Sequence, residues 1–171
     1  MAPRVEKLTF PGSQGTKLAA RLDLPVGAPV AYALFAHCFT CTMDTFAAGR
    51  IAEGLVSHGI AVLRFDFTGL GASEGDFANT NFSSNVDDLI KAADFLSERF
   101  AAPQLLIGHS LGGAAILAAA GRIRDALAVA TIGAPADPAH VARLFTDAVP
   151  EIEAKGDAEV RLTGRPFRIR K

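Results

Sequence analysis

Residues 104–120 read QLLIGHSLGGAAILAAA: an apolar strand, Gln104 to Ile107, then Gly108-His109-Ser110-Leu111-Gly112, then an Ala-rich helix. The central five residues have G-x-S-x-G spacing, and their place directly after a strand and directly before a helix turns a common pattern into a candidate nucleophile. A serine at so tight a bend adopts a strained backbone that pushes its hydroxyl out of the sheet. Side chains two residues before and after it would collide, so Gly108 and Gly112 supply room, and Gly113 lets the helix approach its neighbour. The competing reading is a glycine-rich turn that binds an anion or nothing.

Outward from this bend, Val30 to Ala36 (VAYALFA), Ile60 to Phe65 (IAVLRF) and Ala126 to Ile132 (ALAVATI) are apolar throughout. Runs of this kind fit strands covered on both faces of a parallel sheet. Helical patterns lie between them. Asp44 to His58 ends at Gly59, a natural left-handed cap. Ser84 to Phe100 carries apolar residues at helical spacing, with Asp87 and Asp88 expected in its first turn and Arg99 in its last, matching the helix dipole. Leu111 to Ile123 is a third helix, and Pro138 to Asp147 a fourth, with Asp137 as N-cap and Pro138 at the first helical position. The fold class is therefore α/β. Ahead of the alternation, Val5 to Phe10 and Thr16 to Leu24 read as an antiparallel pair at the sheet edge, and Glu159 to Thr163 with Pro166 to Arg170 as a hairpin around Gly164-Arg165.

The chain has 171 residues, with 17 Lys and Arg against 18 Asp and Glu. That length suits one domain. A net charge of -1 argues against a general electrostatic grip on nucleic acid, and the terminal Arg161, Arg165, Arg168, Arg170 and Lys171 are expected on one solvated face of the hairpin. Two cysteines cannot staple a secreted scaffold. The N-terminal MAPRVEKLTF places charges where a signal peptide needs its apolar region, so a cytoplasmic setting is expected. Mean hydropathy is +0.27, yet the most apolar stretch, Leu105 to Ala120, is broken by His109, Ser110 and glycines and is shorter than the roughly 20 residues of a membrane span. No membrane partner is expected.

A nucleophilic serine needs donors for the oxyanion it creates. The NH of Leu111 at the helix start is one, and the NH of Phe39, in the loop His37-Cys38-Phe39-Thr40-Cys41 after the first central strand, is the candidate for the second; each such donor is worth about 3 kcal/mol in the transition state. The same loop contains C-x-x-C. Its spacing allows a thiol-redox pair, although two buried thiols are the favoured reading. His37, His58, His109 and His140 show no metal-ligand spacing, so neither a metal nor an organic cofactor is expected. Asp66, opening the glycine-rich DFTGLGASEG loop, is expected to satisfy backbone donors.

The elbow GHSLGG, the loop AHCFTCTMD, the RFDFTGLGASEG turn and the segment IGAPADPAHV resemble an α/β-hydrolase of the serine-hydrolase superfamily, near the serine aminopeptidase and lipase-like branch. FANTNFSSNV and GRPFRIRK are similar to the hydrolase half of bifunctional proteins fused to an OsmC-like domain. Cys38 departs from the family pattern, standing where the usual His-Gly motif has glycine. The resemblance implies a mostly parallel, three-layer sheet with an antiparallel N-terminal edge and a Ser110 acyl-enzyme formed from a small-molecule ester or related acyl substrate. It also implies that residues 1–150 are an incomplete hydrolase core and residues 151–171 the start of a cap hairpin or C-terminal extension. The last strands, which carry acid and histidine in that fold, are missing from this reading. The expected consequences are a nearly inert catalyst and an exposed edge through which a homo-oligomer could form.

Within the chain, Ser110, Asp137 and His140 keep the triad order. Three residues apart at one helix start is poor geometry for a relay, and capping is the simplest role for Asp137. His37, His58 and His109 are read as structural. The rivals are a non-catalytic interaction domain and a thiol-redox protein using Cys38 and Cys41.

Overall fold

The computed structural model describes residues 4–162 and 164–171, apart from the side chain of His140. Its centre is a six-stranded sheet in the order β1-β2-β4-β3-β5-β6. The antiparallel edge is β1 (Arg4–Pro11) on β2 (Lys17–Leu24), and β2 also runs antiparallel to β4 (Ile60–Phe65). β3 (Ala31–Ala36), β4, β5 (Leu105–His109) and β6 (Ala128–Ile132) are mutually parallel. The chain leaves β3 for β4 on one side and returns to β5 on the other. The crevice above the carboxyl ends of β3 and β5 is therefore a topological switch point, where open α/β sheets bind ligands.

Alternation along the strands makes three layers. Ala33, Phe35, Val62 and Ile107 face α1 (Phe46–Ser57), which contributes Ala48, Ala52 and Val56. Leu34, Leu63 and Leu106 belong to the opposite, larger core with Leu89, Leu96 and Ile116 of α2 (Phe82–Arg99) and α3 (Leu111–Ala120). After β6 come a 3-10 segment, Pro138–Ala148, a short α4 (Val149–Lys155), and a separate hairpin of β7 (Asp157–Leu162) with β8 (Arg165–Arg170).

Four local expectations change. α2 starts at Phe82 because Asn81 caps it: the Asn81 side chain accepts from Ser84 N, and Ser84 Oγ accepts from Asn81 N, each at 2.9 Å. Asp87 and Asp88 consequently lie beyond its first turn. Residues 138–148 wind as a 3-10 helix, broken at Phe145 by a non-helical φ of -137°. α3 stops at Ala120, three residues early. β6 is exposed at all five residues, with Val129 and Ile132 at 40% and 42%, so it is not a strand covered on both faces.

Candidate active site

At the junction of β5 and α3 the Ser110 backbone takes φ 54° and ψ -124°, a left-handed setting that a serine adopts only when its surroundings enforce it. The bend is held on both sides, by Ser110 N donating to the Ile132 carbonyl at 2.8 Å and by Gly113 N donating to the Ser110 carbonyl at 2.9 Å. The glycines are sterically required. A Cβ on Gly108 would stand 2.4 Å from Gly113 Cα, one on Gly112 would stand 2.3 Å from the His37 carbonyl oxygen, and one on Gly113 would stand 2.7 Å from Ala134 Cβ. Half-buried Ser110 lines a cavity of about 740 Å³, whose wall also includes Phe39, Leu111, Asp137 and Arg143.

Across the cleft, the loop after β3 carries Phe39, and Leu111 opens α3, where the first amides have no partner inside the helix. This loop is fixed from beneath. His37, 1% exposed, places Nδ1 2.8 Å from the Cys38 carbonyl. A carbonyl only accepts, so the proton sits on Nδ1 and Nε2 keeps its lone pair. Nε2 lies 3.7 Å from Asp66 Oδ1 and has no hydrogen-bond partner among the described residues. Burial pushes the His37 imidazole below its usual pKa, against the Cys38 hydrogen bond and the Asp66 charge, which raise it. Asp66 holds two loops at once, accepting from Met43 N at 2.7 Å and from Ala72 N at 2.9 Å.

Cys38 and Cys41 are joined in a disulfide, which replaces the expected pair of buried thiols. The turn between them, closed by Cys41 N donating to the Cys38 carbonyl at 3.1 Å, brings their Cα atoms to 5.2 Å, within the range a disulfide spans. Thr40, between them, has φ 62° and is 2% exposed, and its carbonyl accepts a hydrogen bond from the Arg165 guanidinium of the hairpin. Arg170 binds Asn79 Oδ1 and lies 3.8 Å from Asp76, while Arg168 pairs with Asp157 at 3.1 Å. The hairpin arginines are exposed, as the sequence suggested, and two of them, Arg165 and Arg170, also reach other loops.

Asp137 lines the Ser110 cavity and caps the 3-10 segment, accepting from Ala139 N at 2.9 Å. His140 lies in that segment, and its side chain is outside the described residues. His109 is half-buried on the cavity wall, and His58 caps α1 with Nδ1 2.8 Å from the Gly54 carbonyl. Among the described residues no histidine ring hydrogen-bonds the Ser110 hydroxyl, and no group of three or more His, Cys, Asp or Glu is placed to hold a metal ion. No helix among them is long and apolar enough to cross a membrane. A second cavity of about 360 Å³ shares Phe39 and Leu111 with the first and extends towards Phe77, Phe82 and the hairpin.

One supporting residue escaped the sequence reading. Asp88 is fully buried, and its carboxylate accepts from Ser13 N and Oγ at 2.9 and 2.7 Å and from Thr68 N and Oγ1 at 3.0 and 2.8 Å. It ties α2 to the β1–β2 turn and to the glycine-rich loop. An acidic residue amid the apolar face of a helix was the available signal.

Residues 33–170 match the family described as the alpha/beta hydrolase family. The mitochondrial palmitoyl-protein thioesterase ABHD10 of Mus musculus is 32% identical over 127 residues, which are 72% of this chain and 42% of that protein. The chain therefore spans less than half the length of that relative. The esterase domain of a Rhodothermus marinus protein is 52% identical with a TM-score of 0.72, covering 98% of this chain and 65% of its own. A Xanthomonas campestris protein described as an a/b serine hydrolase without lid is 27% identical with a TM-score of 0.70, covering 78% of this chain and 62% of its own.

Proposed function

The chain belongs to the alpha/beta hydrolase family, and on that basis we propose that its chemistry is hydrolysis of a carboxylic ester or thioester with Ser110 as nucleophile. The observation that carries this reading is the strained Ser110 backbone, φ 54° and ψ -124°, at a strand-to-helix bend on the wall of a cavity of about 740 Å³. The esterase and thioesterase named among the similar proteins support the acyl class.

In this reading Ser110 Oγ adds to the acyl carbon, and the carbonyl oxygen becomes an oxyanion held by the NH groups of Leu111 and Phe39. Collapse breaks the bond to the alkoxide or thiolate, which leaves with the proton given up by serine. Water then cleaves the acyl-enzyme, releasing the acid and restoring Ser110. Among the described residues no histidine ring meets the Ser110 hydroxyl, and the side chain of His140 lies outside them.

A fluorophosphonate probe tests the proposal, because it captures an activated serine without requiring turnover. Labelling at Ser110, abolished by Ser110→Ala, is the expected result. Absence of labelling at Ser110 under long exposure would leave a non-catalytic interaction domain as the better reading. The Cys38–Cys41 disulfide favours a second reading, exchange with an external dithiol that is oxidised as the pair is reduced. A thiol count unchanged by excess dithiothreitol would dispose of it.

A further inference from the structure

The loop that carries Phe39 holds a conformation its own residues do not favour. Cys41 N closes it on the Cys38 carbonyl at 3.1 Å, and Thr40, the third residue of that turn, sits at φ 62°. Turns with a positive φ at this position favour glycine or asparagine, because a β-branched side chain there crowds its own backbone. Such a setting persists only when the surroundings enforce it. The disulfide fixes the two ends of the turn. Its middle is held from the hairpin, where the Arg165 guanidinium donates to the Thr40 carbonyl, 125 residues away in sequence. The neighbouring arginines do something else: Arg161 reaches the Gly164 carbonyl at 3.4 Å and Arg168 reaches Asp157 at 3.1 Å, both inside the hairpin, and Arg170 goes to Asn79.

A second route runs from the same arginine to the same loop. Arg165 Cζ lies 5.6 Å from the centroid of the Phe167 ring, within cation–π range. Phe167 meets Phe77 edge-on at 5.1 Å, and Phe77 meets Phe39 at 5.5 Å. Phe39 is thus fixed through the backbone of Thr40 and through its own ring, and both constraints lead back to Arg165.

We propose that Arg165 is a positioning residue for the oxyanion side of the Ser110 site, keeping the Phe39 amide aimed into the crevice by its hydrogen bond to Thr40 and its stacking on Phe167. The catalytic consequence rests on the hydrolase reading; the positioning does not. The amide of Phe39, second residue of the turn, takes no part in the bond that closes it. Without the arginine, Thr40 relaxes towards negative φ, and rotation there turns the adjoining Phe39 peptide. A donor moved off the oxyanion is missed only where charge develops, so the reaction slows while the binding that precedes it is unchanged.

The test is fluorophosphonate inactivation of the full chain over a range of probe concentrations, which separates the maximal rate, kinact, from the half-saturating concentration, KI. Arg165→Ala is expected to lower kinact about tenfold, less than the loss on the order of 10²–10³ that follows removal of an oxyanion donor, and to leave KI unchanged. Arg165→Lys keeps a cation and N–H donors and is expected to recover most of that loss. Arg161→Ala, which removes an arginine of the same hairpin, should match the wild type. Spectra of the chain carrying nitrogen-15 phenylalanine read the positioning without chemistry: the Phe39 amide resonance, assigned with Phe39→Leu, should shift in Arg165→Ala and stay in place in Arg161→Ala. Phe167→Leu removes the ring beneath the guanidinium and should shift it too, so failure of Arg165→Ala to fold leaves that variant. A Phe39 resonance unmoved by these changes, a raised KI beside an unchanged kinact, or an equal loss of kinact in Arg161→Ala overturns the proposal. If wild-type Ser110 takes no label while the Phe39 resonance follows the expected pattern, the hydrolase reading falls and the hold of Arg165 on the loop stands.

Discussion

Substituting Gly112 by alanine probes the claim that the two halves of the site are packed directly on each other. The new Cβ would lie 2.3 Å from the His37 carbonyl oxygen, 2.6 Å from that of Ala36 and 2.8 Å from the Ala36 carbonyl carbon. All three atoms are backbone at the end of β3, so no side chain can swing aside. Ordinary contact begins at 3.4 Å, and α3 must therefore move away from the loop by about 1 Å. Overpacking of this kind costs about 1–3 kcal/mol of stability. The same displacement separates the Leu111 and Phe39 amides, and a misplacement of about 1 Å in a reacting site costs on the order of 10²-fold in rate. Urea unfolding measures the first quantity, and the rate of fluorophosphonate labelling at Ser110 measures the second. Gly49→Ala serves as the control, because its Cβ meets nothing within 4 Å on α1; it should gain about 0.5–1 kcal/mol and leave labelling unchanged. A Gly112→Ala chain that unfolds at the wild-type urea concentration and labels at the wild-type rate would refute the direct contact between elbow and loop.

Three further outcomes follow from the buried polar groups and the disulfide. Burial depresses the folded-state pKa of His37 below its usual 6.5, so the unfolded chain binds more protons as pH falls through that value. Stability is then full above about pH 6.5 and declines below it, by at most about 1.4 kcal/mol per pH unit; thermal melts between pH 5 and 8 should show the decline, and a similar acid limb in His37→Asn would contradict it. Asp88→Asn presents amide hydrogens to donors on Ser13 and Thr68 and should cost about 3 kcal/mol in urea unfolding, whereas a change under about 0.5 kcal/mol would show that the four bonds are not made together. Reducing the Cys38–Cys41 bond, which spans three residues in sequence, should cost about 2 kcal/mol by chain entropy and slow Ser110 labelling, because the loop it closes carries Phe39; equal labelling with and without dithiothreitol would separate the disulfide from the site.

The parts of this molecule legible in its sequence are those whose causes are local. Strand, bend and helix around Ser110 occupy adjacent residues, and the glycines that the bend needs are within three positions of it. Asp137 and Pro138 likewise mark a helix start, but an α-helix and a 3-10 helix share that opening, so the winding of Pro138–Ala148 was not encoded there. The α2 boundary was misplaced for a related reason. The pair Asn81 and Ser84 closes a reciprocal cap without the acidic third residue that usually signals one, and Asp87 and Asp88 looked like the missing charge. The apolar β6 shows the limit of pattern itself: an apolar run states a preference for burial, but burial depends on neighbours, and β6 stays exposed.

The same distinction divides the candidate site. Its Ser110 half is signalled by contiguous residues, even though Ile132 and the end of β3 also hold the bend in place, while the Phe39 half has no such local signal and depends on groups distant in sequence. The Met43 amide beyond the loop donates to Asp66, 23 residues on, and the Thr40 carbonyl accepts from Arg165, 125 residues on. A threonine at φ 62° has no sequence signature, because the conformation is imposed by the disulfide turn and the arginine together. Contacts of such long range form only when the sheet and the hairpin are both in place. The geometry of the Phe39 amide, proposed as the second oxyanion donor, is thus a property of the assembled fold, and substitutions at Arg165 should disturb it without touching the elbow.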